Sequence, residues 1–111
     1  MGSLRLYRGN TEVKETKDNE RASAADNMIE FIRSQGPKLP RGQYTLEGEK
    51  GQELVYKKVL ARDGFADNWR ETFHVIGTEE EADKACFEYI QSQRSAGQSE
   101  YRTVGADGKE G

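Results

Sequence analysis

The chain has 111 residues, with 17 basic and 20 acidic side chains, a net charge of -3, one histidine and one cysteine. With 33% hydrophobic residues and a mean hydropathy of -0.98 it can bury only a modest core, and no apolar run approaches the roughly 20 residues that span a bilayer. One cysteine excludes an internal disulfide framework, and one cysteine with one histidine cannot make a structural zinc site.

In chain order, Leu4 to Tyr7 alternates apolar and charged residues and predicts a short strand. Arg8-Gly9-Asn10 is a turn signal, and Thr11 to Lys14 can form the second arm of a hairpin. Residues 8–20 are otherwise so polar that they read as a linker inside a single domain spanning 1–105. A helix is predicted from about Arg21 to Gln35, with Ala25, Met28, Ile29 and Ile32 as its core stripe and Phe31 beside it. Gly36-Pro37 should end it, glycine by a left-handed cap and proline because it cannot continue the helix.

Residues 43–47 and 53–62 then predict a hairpin across the turn Gly48-Glu49-Lys50-Gly51. In the second arm, Tyr56, Lys58 and Leu60 alternate with Val55, Lys57, Val59 and Ala61, so one face keeps a partly polar character. Asp63 to Asn68 reads as a loop, with Phe65 an apolar residue placed to be either a binding anchor or a cap on the sheet. Residues 69–76 alternate as a third strand that sets His74 opposite Phe73 and Val75.

The strongest local signal follows. Thr78 and Glu81 form a capping box, Glu79, Glu80 and Glu81 occupy the positive end of the helix dipole, and Ala82, Ala85, Cys86, Tyr89 and Ile90 make one apolar stripe. This helix should end near Arg94 to Gly97, with a last edge strand over 100–104 and a disordered tail over 106–111. The expected fold is α+β, an antiparallel sheet of three to four strands with two helices on one face, in the order β-α-β-β-β-α(-β). Ile29, Ile32, Phe73, Val75, Cys86 and Ile90 are the expected shared core, and the other aromatics, Phe87 included, are assigned mostly to it.

Residues 21–94 resemble the double-stranded-RNA-binding domain in element order, and the N-terminal strand makes the order similar to that of ribosome hibernation factors. The resemblance implies a lysine cluster at the start of the second helix. Here Glu79, Glu80, Glu81 and Asp83 stand there, and only Lys84 is basic. The first hairpin loop, residues 48–51, also lacks the family's proline and histidine. Because phosphate contacts dominate nucleic-acid affinity, the family's RNA mode is not expected.

Neither catalysis nor a cofactor site is expected. His74 sits mid-strand, Cys86 lies on a helix stripe, residues 48–51 lack Walker spacing, and Asp63, Asp67 and Glu71 do not form a calcium loop. The charge is uneven, with net values of zero, plus one and minus four over residues 1–37, 38–76 and 77–111. The favoured expectation is therefore a small non-enzymatic module, similar in size and charge to accessory or inhibitory proteins of phages and mobile elements. It would bind a protein with a basic surface through Glu79, Glu80, Asp83 and Phe65 or through the open sheet face. The alternative is a nucleic-acid-binding module using Arg41, Lys50, Lys57, Lys58, Arg62 and Arg70 of the middle third. Met1 to Arg5 has no apolar signal-peptide core, and position 6 is leucine where a myristoylation motif wants Ser or Thr, so a cytoplasmic location is expected.

Overall fold

A computed structural model describes residues 2–64, 68–94 and 99–105. Phe65 and the 106–111 tail lie outside the described residues. The fold is α+β, as expected, and the described residues form two α-helices and six antiparallel strands in the order β-β-α-β-β-β-α-β. Contacts within the chain divide it into two compact units, residues 1–54 and 55–111.

In the first unit, strand β1 (Ser3–Arg8) pairs with β2 (Thr11–Lys17) and with β3 (Tyr44–Gly48). Gly9, at φ 59°, makes the tight turn between the first two strands. Much of the expected 8–20 linker is therefore strand. An edge strand needs only one buried contact row, and Thr16 supplies it here. Its hydroxyl donates to the Ala24 carbonyl at 2.8 Å, while Arg5 on β1 holds Glu15 at 3.0 Å and Glu12 at 3.5 Å on the outer face.

Helix α1 (Ala24–Gln35) starts later than the pattern implied, because Ser23 is the N-cap and its Oγ accepts from the Asp26 N–H. Residues 19–22 are bent instead into a turn, in which Asn19 Oδ1 accepts from the N–H groups of Arg21 and Ala22. Gly36 does not form a left-handed cap. Its φ is -51°, and the chain tightens into a 3-10 turn, Gly36–Lys38, as Pro37 removes the N–H that another α-turn would use. Leu4, Leu6, Ala24, Met28, Leu46 and Leu54 form the buried set of this unit.

Strand β3 turns through Glu49–Gly51 into β4 (Glu53–Asp63), with Leu46 opposite Leu54. The turn places Lys50 at φ 63° and Gly51 at φ 75°, both left-handed.

In the second unit β4 is central, flanked by β5 (Arg70–Gly77) and β6 (Ser99–Gly105). Helix α2 (Glu79–Arg94) covers one sheet face, with Phe73 stacked on Tyr89 at 4.6 Å. Tyr56, Val59, Ala61, Ile76, Ala82, Cys86 and Val104 are buried.

Most of the expected shared core is corrected by these burials. Ile29 and Ile32 belong to the first unit and the other four residues to the second, and only Cys86 of the six is buried, the rest being half-buried. The fully buried positions are Ala24 and Met28 in α1 and Ala82 and Cys86 in α2.

Candidate functional site: the outward stripe of the second helix

The capping box forms as the sequence dictates. Thr78 N–H donates to Glu81 Oε1 at 3.0 Å, and Glu81 N–H donates to Thr78 Oγ1 at 3.2 Å. The Thr78 backbone bond is the main cause that holds the Glu81 carboxyl below its ordinary range, with the Thr78 hydroxyl adding to it.

The other acidic residues near this helix start divide by task. Lys57 is only 6% exposed, and its Nζ donates to Asp83 and lies 3.9 Å from Glu79 Oε1. Asp83 and Glu79 thus hold an interior lysine, which an unpaired position would destabilise. Glu80 is exposed and has no ion pair among the described residues.

The cations of the nucleic-acid alternative are mostly engaged as well. Besides buried Lys57, Lys58 meets Glu71 at 2.5 Å, Arg62 meets Glu100 at 2.6 Å, and Arg70 meets Asp63 at 3.0 Å. Ser99 is the larger cause and Arg70 the next that lower the Asp63 carboxyl. Arg62 and Arg102 both stand over the Trp69 ring, at 4.8 and 4.6 Å. Lys50 and Arg41 are exposed, so the basic middle third presents few uncompensated charges together.

The sheet face opposite α2 is not the uniformly solvated surface that alternation suggested. Tyr56, Ile76 and Val104 are buried there, and His74 is nine-tenths buried. Tyr56 Oη and His74 Nδ1 are 2.5 Å apart, and His74 Nε2 lies 3.7 Å from Glu71. Alternation places His74 on this face but does not show the group, because a bulge at Thr72 brings Glu71 and His74 to one side. Cys86 is buried on the other side, and burial pushes its thiol pKa up, which opposes use as a nucleophile.

Phe87 is the residue that sequence reasoning placed wrongly. It is 63% exposed, the sole large hydrophobic side chain so exposed among the described residues. The signal was available, since Phe87 follows Cys86 by one residue and so falls about 100° off the buried stripe. At helical spacing it shares an exposed stripe with Glu80, Lys84, Gln91 and Arg94. This stripe joins an aromatic side chain to Glu80 and Arg94, which have no ion-pair partner among the described residues, on a regular, well-capped helix.

Comparison with known proteins finds no matching family model, curated protein or solved structure. Among the described residues, no helix is long and apolar enough to cross a membrane.

Proposed function

We propose that this chain is a small non-enzymatic module that binds another protein through the outward stripe of α2. Phe87 is its anchor and Glu80 its available acid. The exposure of Phe87 carries this reading, because a large aromatic held on a rigid helix supplies contact area at little further ordering cost. Glu79 and Asp83 belong to the same surface at lower weight, since each is turned partly to Lys57. The nucleic-acid alternative is weaker, as a phosphate would have to displace Glu71, Glu100 or Asp63 from its cation.

The test is affinity capture with the native chain, Phe87→Ala, and Glu79→Lys with Glu80→Lys, each checked for helical content. A protein retained by the native chain and lost by both variants is the expected result. Partners held equally by all three would refute the assignment of this surface.

A further inference from the structure

We propose that the outward stripe of α2 takes a second copy of this chain, helix against antiparallel helix, in a two-fold dimer centred on Phe87. The proposal rests on the reading of this stripe as a binding surface and names the partner. Its ground is the arrangement of charge about Phe87. Glu80 precedes Phe87 by seven residues and Arg94 follows it by seven. Seven residues return to the same side of a helix to within about 20° and advance about 10.5 Å along it. Glu80, Phe87 and Arg94 therefore form one straight seam, acidic at one end, aromatic at the middle and basic at the other.

A two-fold axis beside Phe87 maps this seam onto itself reversed. Phe87 then meets Phe87 of the second copy, and Glu80 lies level with Arg94 of that copy on both sides of the axis. Antiparallel placement also sets the acidic start of each helix beside the basic last turn of the other, so the helix dipoles agree with the side chains. All three side chains are exposed, and among the described residues neither Glu80 nor Arg94 has an ion-pair partner within its own chain. Lys84, beside the seam, is 4.0 Å from Glu88 of its own helix and so adds little repulsion. A parallel pairing would instead set Glu80 against Glu80 and Arg94 against Arg94. The sequence thus selects one orientation.

The contact is small and mostly polar, so the dimer is weak, with a dissociation constant on the order of 100 µM. Sedimentation equilibrium of the full chain up to about 1 mM reads it directly. Phe87→Ala, Glu80→Arg and Arg94→Glu should each weaken association about tenfold or more, since two-fold symmetry repeats every loss. Combining Glu80→Arg with Arg94→Glu should restore it to within about threefold, because the swapped seam has the same complementarity. Circular dichroism on each variant separates loss of association from loss of the helix. A chain that is monomeric at the highest concentration, or a double swap that stays as weak as the single reversals, overturns the dimer. If such a monomer still loses a different partner on Phe87→Ala, the binding surface stands and only the identity of its partner falls.

Discussion

Each of the two helices carries a phenylalanine, and the two rings meet different fates because they stand at different angles from the buried residues. Phe31 on α1 is half-buried, with the Lys14 ammonium of β2 5.4 Å from its ring centre. Phe87 on α2 has no such cover among the described residues and stands 63% exposed. The difference lies in helix position, since Phe31 falls three residues after buried Met28 and seven after buried Ala24, on their side of α1, whereas Phe87 falls about 100° away from Cys86 on α2. The hairpin β1–β2 brings Lys14 to α1, whereas the lysine closest in role on the second unit, Lys57, is drawn inward by Asp83 and Glu79.

The first way to sharpen this comparison is to unpack each helix. Met28 of α1 is fully buried, so Met28→Ala should cost about 2–5 kcal/mol in chemical denaturation. A cost below about 1 kcal/mol would mean that α1 does not rest on the interior this assignment gives it.

Next in size is the acid that each helix carries near its start. Asp83→Ala leaves the buried Lys57 ammonium with only distant Glu79, and should cost roughly 1–3 kcal/mol. Asp26→Ala in α1 removes only an exposed first-turn charge, with an expected loss of about 0.3–1 kcal/mol. Equal costs would break the distinction between an acid that serves the dipole and one that holds an interior cation.

The caps differ in their response to pH. In α2 the Glu81 carboxylate accepts the Thr78 N–H and has a folded-state pKa below its ordinary 4.5. Its contribution is therefore complete above the unfolded value and is lost as pH falls from about 4.5 through the lower folded value. The Ser23 cap of α1 uses a hydroxyl, which does not titrate there. Glu81→Gln should flatten part of the acid limb of a stability-against-pH curve, while Ser23→Ala should lower stability by about 1 kcal/mol evenly across it. A Glu81→Gln curve with the native slope would remove the capping carboxylate from the acid response.

The smallest effect is the most informative about function. Phe87→Ala should change stability by less than about 0.5 kcal/mol, because the ring is already in solvent. Phe31→Ala should cost more, since it uncovers packed surface. A large loss at Phe87 would show the ring to be structural and would withdraw it as an anchor.

The amino-acid sequence determined the elements whose causes are local. The Thr78–Glu81 box lies within one turn, and alternation and stripes set the strand and helix types before any long-range contact forms. It also set the acidic start of α2 and the seven-residue spacing of Glu80, Phe87 and Arg94. Tertiary structure decided what local pattern leaves equal. Polar Thr11–Lys17 became a strand because β1 supplied its ladder and Arg5 its charge partner. Lys57 and Lys58 are adjacent and chemically identical, yet one is buried against α2 and the other pairs with Glu71 on the opposite face. Strand geometry sends neighbouring side chains to opposite faces, and the packing of α2, with Asp83 and Glu79 near its start, decides that Lys57 is the one held inside.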